Sequence, residues 1–470
     1  MVRRNLLWFV AAVLLVYPWL LAVGTQASTT AEHVILIQGD GMGAEHVKAG
    51  GMYVHGAAGT LSFESFPSRT TMTHDNASGG TTDSAASGTA MATGTKVDNG
   101  VVGVRLPGDG SALTSLLELH RASGRRAGLV TESFLTDASP AAHGAHDASR
   151  YHYDAIYADF MDGSRPEVLF GGGGYGFVTL TAAARGYAVV TDRTGLLALD
   201  TEAATRAAGS FGAGLIPPDG AAGRDAALPT LPEMTQQALA VLDNDPDGFF
   251  VFIEQEGIDE YSHANDGLGL CLSMQELDAA VQTVIAWVND PNNASDWTNT
   301  LVVVLADHET GGVTVTETNP QAGTVPALSW STTGHTSTPV PVYARGAGAD
   351  QVFGAQIDNT DIFTFLSPAP PASATPTPDP TPDPSGKRVL AYPNPARESV
   401  RFLVDLTQGG PVRIVLFNPS GERVAVVKET LPAGPGELVW DCRGAAAGIY
   451  FARVLLDTGP IETLKLTVVR

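Results

Sequence analysis

The sequence predicts an α/β/α sandwich with a mostly parallel central sheet, followed by a small C-terminal β-sandwich. The first observation is that three apolar runs, Val34–Ile37, Phe249–Ile253 and Thr300–Ala306, are each followed by acidic, glycine or histidine residues. Short aliphatic runs bounded by polar residues are typical of strands buried on both faces of a parallel sheet. The second observation is that these runs, together with Ala127–Val130 and Val340–Tyr343, alternate with helical patterns, as they do in α/β proteins.

The N-terminal segment, residues 1–27, is interpreted as a signal peptide. Arg3 and Arg4 precede an apolar stretch from Leu6 to Val23, and small residues near Ala27 provide a cleavage site. The alternative is a retained membrane anchor, because the stretch is nearly long enough to span a bilayer. With cleavage, the protein is expected to be exported and to reside in the periplasm, at the cell surface or outside the cell.

Charge and cysteine content narrow the possible partners. The chain has 27 basic and 50 acidic residues, a net charge of -23, so we expect no nucleic-acid partner. The only two cysteines are Cys271 and Cys442, which provide no disulfide framework and no Cys-x-x-Cys metal motif. Cys271 precedes the helical pattern Leu277–Val288 and is interpreted as a small core residue. A second helical pattern covers Leu113–Arg121.

Acidic and imidazole side chains follow the three apolar runs of the predicted catalytic domain, residues 28–366. Because ligands bind beyond the carboxyl ends of strands in open α/β sheets, these side chains are expected to meet at one edge. They are Asp40 after the first run, Glu254, Asp259 and His263 after the second, and Asp307 and His308 after the third. Acids and imidazoles gathered in this way are typical of a hydrolytic metal site.

Three further features are weak when taken alone. Ser84 precedes a run of small, helix-compatible residues, so it is either a helix N-cap or a nucleophile placed at a helix N-terminus. Asp259 and His263 are spaced to face the same side of a helical turn and to share one cation. His335 is a loop histidine, and such residues are usually solvated.

Several blocks occur together in one order and resemble the alkaline phosphatase family over about Val34 to Gly348. The blocks are Gln38-Gly39-Asp40-Gly41-Met42-Gly43, Asp83-Ser84-Ala85-Ala86, Asp137-Ala138-Ser139-Pro140-Ala141, Ser149-Arg150, the Glu254, Asp259 and His263 group, Asp307-His308-Glu309-Thr310-Gly311-Gly312, and Gly334-His335-Thr336. The resemblance implies hydrolysis of phosphate monoesters, two zinc ions and one magnesium ion, and a homodimer as the family's usual form.

The resemblance also implies a role for each matching residue. The implied ligands are Asp259, His263 and His335 for one zinc, Asp40, Asp307 and His308 for the second, and Asp40, Ser139 and Glu254 for magnesium. Ser84 matches the nucleophile that forms a phosphoserine intermediate, and Arg150 matches the arginine that clamps phosphate. Asp83 matches the acid that steadies this arginine, and Asp137 matches a residue behind the magnesium ligands.

The sequence departs from the family at two acidic positions. Gln255-Glu256 replaces small residues that commonly follow the magnesium glutamate, which makes Glu256 a rival to Glu254 as the ligand. Glu260 stands where relatives often carry a basic or aromatic residue, and a negative side chain that faced the site would weaken phosphate binding. The alternatives are another hydrolase of the superfamily, such as a phosphodiesterase or sulfatase, or a surface-binding protein whose working part is the β-sandwich. The segment after Ser84 lacks the Cys/Ser-x-Pro-x-Arg pattern that a sulfatase requires.

The C-terminal part of the chain has a different composition. Residues 367–386 are proline-rich and are predicted to form a semi-extended linker. Residues 387–470 contain short alternating runs that predict an antiparallel β-sandwich. The runs are Val400–Val404, Val412–Phe417, Val424–Val427, Tyr450–Leu456 and Leu464–Val469.

Two motifs of this predicted β-sandwich resemble the sorting domains of the type IX secretion system. They are Ala391-Tyr392-Pro393-Asn394-Pro395-Ala396 and Gly448-Ile449-Tyr450-Phe451. The resemblance implies secretion machinery as a partner. The alternative is an accessory module that only binds or spaces.

Overall fold

The computed structural model describes residues 31–352, 356–368, 387–392, 396–397, 399–406, 409–418, 423–456 and 459–469. The predicted signal peptide and nearly all of the predicted linker lie outside these described residues. The chain divides into two compact units, with the boundary between Pro371 and Ala372.

The first unit is built from alternating strands and helices. Its described helices are α1 (Ala44–His55), α2 (Ser84–Thr93), α3 (Leu116–Ala122), α4 (Ala138–Gly144), α5 (Tyr153–Ala158), α6 (Thr179–Ala184), α7 (Arg193–Leu197), α8 (Leu231–Leu242), α9 (Gly257–His263), α10 (Gly267–Val288) and α11 (Asn359–Leu366). Its described strands are β1 (His33–Gly39), β2 (Ser68–Thr73), β3 (Arg126–Phe134), β4 (Val168–Gly172), β5 (Ala188–Val190), β6 (Ala207–Phe211), β7 (Phe249–Gln255), β8 (Thr300–Leu305), β9 (Glu309–Thr310), β10 (Thr314–Val315), β11 (Leu328–Ser329), β12 (His335–Thr336), β13 (Val340–Gly346) and β14 (Ile357–Asp358).

A ten-stranded sheet forms the centre of this unit, in the order β14-β2-β13-β8-β1-β7-β3-β4-β6-β5. Its described pairings are parallel, except that β13 runs antiparallel to both β2 and β8. Strands β1, β7 and β8 are buried along their whole length, which explains their uninterrupted apolar sequences. The predicted mostly parallel sheet is therefore confirmed.

Two groups of helices cover the sheet. Helix α10 packs against α1, α8 and α9, whereas α2 packs against α3, α4 and α11. Both groups contact the same central strands: α8 of the first group packs on β3 and β7, and α3 and α4 of the second group also pack on β3 and β7. Because the groups pack within themselves and share these strands, they lie on opposite faces, as an α/β/α sandwich requires.

Two helix boundaries differ from the sequence prediction. Helix α3 begins at Leu116, not Leu113, because the Ser115 hydroxyl accepts from the Glu118 N–H at 3.3 Å and Glu118 accepts from the Ser115 N–H at 3.0 Å. Helix α10 begins at Gly267, ahead of the predicted Leu277, because Asp266 caps the N–H groups of its first turn. Cys271 lies in this helix and is buried, as predicted.

The second unit is all β. Its strands are β15 (Lys387–Tyr392), β16 (Ser399–Leu406), β17 (Gly410–Phe417), β18 (Arg423–Leu431), β19 (Gly434–Asp441), β20 (Gly448–Leu456) and β21 (Gly459–Val468). They form the antiparallel sheets β15-β16-β19 and β18-β17-β20-β21, which share one apolar core. Strand β19 was not predicted from the sequence. Its first residues, Gly434, Pro435 and Gly436, interrupt the alternation of apolar and polar residues, and only Leu438 and Trp440 supply buried apolar side chains. This arrangement fits the predicted small β-sandwich.

Over the part of the chain that the structure describes, none of the helices combines the length and the apolar character needed to cross a membrane.

Candidate active site

The carboxyl ends of three neighbouring strands bring the acidic candidates together. Strands β8, β1 and β7 are adjacent and parallel, with Gln38 of β1 paired with both Glu254 of β7 and Leu305 of β8. Asp40 follows β1 directly, and Asp307 follows β8 after one residue. The register of these three strands therefore places Asp40, Glu254 and Asp307 at the same edge of the sheet, and all three residues are buried.

The first group at this edge consists of Asp40, Asp307 and His308, whose ligand atoms all lie within 4.8 Å of one another. His308 Nε2 is 3.2 Å from Asp307 Oδ2 and 3.5 Å from Asp40 Oδ1. Neither of these two carboxylate oxygens has a hydrogen-bond partner. Burial raises the pKa of both Asp40 and Asp307, which shows how poorly the protein alone compensates their charges. A cation between the three side chains would supply the missing charge.

The second group consists of Asp259 and His263 on α9 and His335 on β12. Strand β12 pairs with β9, placing His335 opposite Thr310, so this histidine is held in a short strand pair instead of a loop. His263 Nε2 lies 3.1 Å from Asp259 Oδ2, and His335 Nε2 lies 3.6 Å from Asp259 Oδ1. The two Nε2 atoms are 3.2 Å apart.

The tautomers of these two histidines follow from their other ring nitrogens. His263 Nδ1 is 2.6 Å from the carbonyl oxygen of Thr333, and His335 Nδ1 is 2.9 Å from that of Thr82. A carbonyl only accepts, so each Nδ1 carries a proton, and each neutral imidazole presents its Nε2 lone pair to the group. Two lone pairs and a carboxylate aimed at one point are the ligand arrangement of a zinc site.

Protons compete for this second group when no cation is bound. Contact with Asp259 raises the pKa of His263 to about 9. Although burial opposes it, contact with His263 and the nearby His308 lowers the pKa of Asp259. Cation binding would therefore displace a proton, so its affinity should increase with pH.

The third group lies on the other side of Asp40. Gln38 Nε2 donates to Ser139 Oγ at 3.0 Å and to Glu254 Oε1 at 3.1 Å. Ser139 Oγ donates to Asp40 Oδ2 at 3.3 Å, and Thr131 Oγ1 donates to Glu254 Oε2 at 2.6 Å. Burial raises the pKa of Glu254 to about 7. The third group therefore brings together the side-chain oxygens of Asp40, Ser139 and Glu254, and oxygen is the ligand atom that magnesium prefers.

Glu256 belongs to the same region. Its carboxylate lies within 4.8 Å of ligand atoms of both Asp40 and Glu254, and also of Asp259 and Glu260. Geometry therefore does not choose between Glu254 and Glu256, because both reach Asp40. Glu260 is exposed, and burial together with Asp259 raises the pKa of its carboxyl.

Ser84 is the first residue of α2 and is buried. The N-cap is Asp83, whose side chain accepts from the Ala86 N–H at 3.0 Å. The interpretation of Ser84 as the N-cap is therefore wrong. Its hydroxyl instead lies 3.4 Å from His308 Nε2, beside the first group.

Arg150 is held by two carboxylates. Its Nη2 lies 2.9 Å from Asp137 Oδ1, and its Nη1 lies 3.4 Å from Asp83 Oδ2. Although burial opposes the charge, Asp137 and Asp83 raise the pKa of Arg150. Asp137, placed behind the magnesium ligands by the sequence resemblance, is thus the nearer partner of the guanidinium in the structure. Its Oδ2 also accepts from Ser133 Oγ at 2.5 Å.

No role was predicted from the sequence for Gln38, Thr131 or Thr310. Thr310 Oγ1 donates to Asp259 Oδ1 and lies 3.3 Å from His308 Nδ1, so it connects the first two groups. Gln38 and Thr310 belong to the sequence blocks that resemble the family, and their position near a candidate ligand could have identified them. Thr131 could not have been identified in this way, because it is an ordinary β-branched residue within strand β3.

Comparison with known proteins agrees with this architecture. A mostly parallel ten-stranded sheet carries groups of potential metal ligands at its carboxyl edge, with Ser84 beside one of them, and this arrangement defines a class of α/β protein. The sequence profile of the family described as alkaline phosphatase matches residues 31–179 and 173–327. The chain therefore belongs to the alkaline phosphatase family.

Individual relatives cover different shares of the chain. It is 33% identical to alkaline phosphatase 4 of Bacillus subtilis over 60% of this chain and 62% of that protein, so the match spans less than two thirds of the relative. It is also 33% identical to streptomycin-6-phosphate phosphatase of Streptomyces griseus, over 72% of this chain and 90% of that one. A solved structure of a mutant alkaline phosphatase from the Antarctic bacterium TAB5, with Mg bound in the M3 site, matches with a TM-score of 0.57 and 26% identity, over 72% of this chain and 96% of that chain.

Proposed function

We propose that this protein hydrolyses phosphate monoesters to an alcohol and inorganic phosphate through a phosphoserine intermediate on Ser84. The observation that carries the proposal is that the Ser84 hydroxyl lies 3.4 Å from His308 of the first group, whose ring stacks on His335 of the second group with 3.6 Å between the ring centroids. In this proposal the first group holds one zinc ion, the second holds another, and Asp40, Ser139 and Glu254 hold magnesium.

The bound cations would supply charge stabilisation and lower the pKa of the serine hydroxyl. The protein's own residues orient the nucleophile and the substrate. Helix α2 directs the Ser84 hydroxyl toward the metal groups, with Asp83 already satisfying the cap, so the hydroxyl needs no local partner. Ser84 Oγ forms a bond to phosphorus as the bond between phosphorus and the substrate oxygen breaks, and the alcohol leaves with a proton.

In this proposal Arg150 holds the transferring phosphoryl group. A guanidinium offers parallel donors to two phosphoryl oxygens, and Asp137 and Asp83 fix its orientation from behind. Water then attacks the phosphoserine, and the bond between Ser84 Oγ and phosphorus breaks to regenerate the hydroxyl. Phosphoryl transfer needs little beyond positioning and charge stabilisation, and this site offers both.

The proposal is tested by assaying the purified protein with a phosphate monoester, a phosphate diester and a sulfate ester, each with and without chelator. We expect monoester turnover that chelation abolishes and that zinc plus magnesium restores, together with transition-metal content in the untreated protein. Preferential diester or sulfate-ester turnover would replace the proposal with another hydrolase of the superfamily. A complete absence of turnover and of bound metal would favour the surface-binding alternative.

We also propose that the protein is exported, with residues 1–27 as the signal peptide and residues 367–386 as a linker to the C-terminal β-sandwich. The support is the sequence pattern at each position and the division of the chain into two units. In this proposal the β-sandwich directs passage through secretion machinery, and the catalytic unit contains every proposed ligand.

A further inference from the structure

Glu256 occupies a position that the proposed ligand sets leave unused. It lies between β7, which carries Glu254, and α9, which carries Asp259, and it is the residue immediately before that helix. Its side chain is only 7% exposed. Its carboxylate lies within 4.8 Å of ligand atoms of both Asp40 and Glu254.

The Glu256 carboxylate has no protein partner to compensate its burial. Within the described part of the chain, no hydrogen bond or ion pair reaches either of its oxygens. Glu254 is different, because Gln38 donates to one of its oxygens at 3.1 Å and Thr131 to the other at 2.6 Å. A buried carboxylate without hydrogen bonds is costly unless a cation accompanies it.

Asp40 brings a further carboxylate to the same position. Its Oδ2 accepts from Ser139 at 3.3 Å and from Gln38 at 3.4 Å, whereas its Oδ1 faces His308 at 3.5 Å and belongs to the first group. The residue is 1% exposed, so bulk water contributes little to its solvation. Asp40 and Glu254 are therefore buried acids beside Glu256, and of the three carboxylates that of Glu256 is the one without a hydrogen bond in the described part of the chain.

The alternative group formed by Glu256, Asp259 and Glu260 is a weaker host. Asp259 Oδ1 already accepts from Thr310, and its Oδ2 faces His263 at 3.1 Å. Glu260 is exposed, so water can solvate its charge without a cation. The need for a cation is thus greater on the Asp40 side of Glu256.

We propose that Glu256 is a fourth protein ligand of the magnesium position, beside Asp40, Ser139 and Glu254, and not a substitute for Glu254. The inference rests on the proposed function, because it assumes that this position holds a cation. Three carboxylates around one divalent ion favour a hard cation such as Mg²⁺, strengthen its binding, and leave fewer coordination positions for water.

The test measures binding, not activity. Full-length protein is stripped of metal and reloaded with two equivalents of Zn²⁺, and Mg²⁺ binding is then measured by calorimetry and elemental analysis. We expect Glu256→Gln to weaken Mg²⁺ binding by about tenfold or more while Zn²⁺ content is unchanged. The matched control is Glu260→Gln, which removes the same charge from a nearby exposed acid and should change Mg²⁺ affinity by about twofold at most.

A second measurement distinguishes ligation from through-space charge. Eu³⁺ replaces Mg²⁺ in the Zn²⁺-loaded protein, and luminescence lifetimes in H₂O and D₂O count the water molecules bound to Eu³⁺. Glu256→Ser should admit additional water, whereas Glu260→Ser should not. The serine variant also keeps the test decisive if the glutamine variant does not fold.

Each adverse outcome has one meaning. Wild-type Mg²⁺ affinity in Glu256→Gln, equal weakening in Glu260→Gln, or an unchanged water count in Glu256→Ser would overturn the inference alone. A wild-type protein that binds neither Zn²⁺ nor Mg²⁺ would overturn the proposed function as well.

Discussion

Replacing Ser84 with alanine separates the two roles that a serine at a helix start can have. If Ser84 is the nucleophile, Ser84→Ala should remove turnover but leave the helix intact. If it served as a cap, the same change would destabilise α2 and spare the chemistry. Asp83→Ala is the matched variant, because Asp83 is the residue that caps the helix in the structure.

The magnitudes follow from the contacts of each side chain. Asp83 accepts from the Ala86 N–H at 3.0 Å and from the Gly100 N–H at 2.9 Å. Losing a cap and leaving a second N–H unpaired should lower the free energy of unfolding by about 2 kcal/mol or more. The Ser84 hydroxyl has only a 3.4 Å contact with His308, so Ser84→Ala should change stability by less than about 0.5 kcal/mol.

The effect on catalysis should be the reverse. Loss of the nucleophile should lower kcat for a phosphate monoester by about a thousandfold or more, which corresponds to about 4 kcal/mol of transition-state stabilisation. Asp83→Ala keeps the Ser84 hydroxyl and should still form the phosphoenzyme. The assays are steady-state turnover, acid trapping of radiolabelled phosphoenzyme and denaturant unfolding. Near-wild-type turnover or a trapped phosphoenzyme in Ser84→Ala would refute the reasoning.

Three further predictions test the arginine, a buried histidine and the C-terminal unit. Arg150→Lys should lower kcat/KM by about 10- to 100-fold and raise the inhibition constant of inorganic phosphate in parallel, because an ammonium does not bind two oxygens side by side; unchanged phosphate inhibition would contradict this. His143 is buried, neither ring nitrogen has a hydrogen-bond partner, and burial lowers the pKa of His143 to about 3. Below about pH 6.5 the His143 ring takes up a proton in the unfolded chain but not in the folded chain, so the wild-type protein loses stability as pH falls. The increase in the free energy of unfolding that His143→Leu gives should therefore grow from about pH 6.5 to 3, and an increase independent of pH in denaturant titrations would argue against it. A chain ending after Pro371 should keep kcat and KM, since the groups of potential ligands lie before that boundary, and in the native host it should remain periplasmic; lost activity in the folded fragment, or unchanged export to the exterior, would each contradict the corresponding part.

The fold could be predicted from the sequence because three central strands are easily recognised. Strands β1, β7 and β8 are buried on both faces, so their apolar runs are uninterrupted and their ends are marked by polar residues. The same logic fails for β19, where glycine and proline interrupt the pattern, and for the start of α10, whose first turns contain glycines before the apolar periodicity begins. Short strands such as β12 could not be predicted either, because two residues are too few to show a periodic pattern.

The candidate ligands could be found from the sequence, but the partners that orient them could not. The spacing of Asp259 and His263 places both on one helical face, and strand ends place Asp40 and Asp307 together. The carbonyl oxygens that fix the two histidine tautomers belong to Thr333 and Thr82. A backbone carbonyl is present in every residue, so no sequence pattern identifies the two that matter.

Asp137 shows how geometry can change the role assigned to a residue from its sequence. The family resemblance implies that Asp137, two positions before Ser139, lies behind the magnesium ligands. In the structure Asp137 Oδ1 is 2.9 Å from Arg150, whereas Asp83 is 3.4 Å away. Since Asp137 is the N-cap of α4 and Ser139 lies in its first turn, one element carries both a proposed magnesium ligand and the nearer partner of the proposed phosphate clamp. A shift of this helix would therefore disturb the proposed cation position and the proposed phosphate clamp together, through their shared element and not through direct contact.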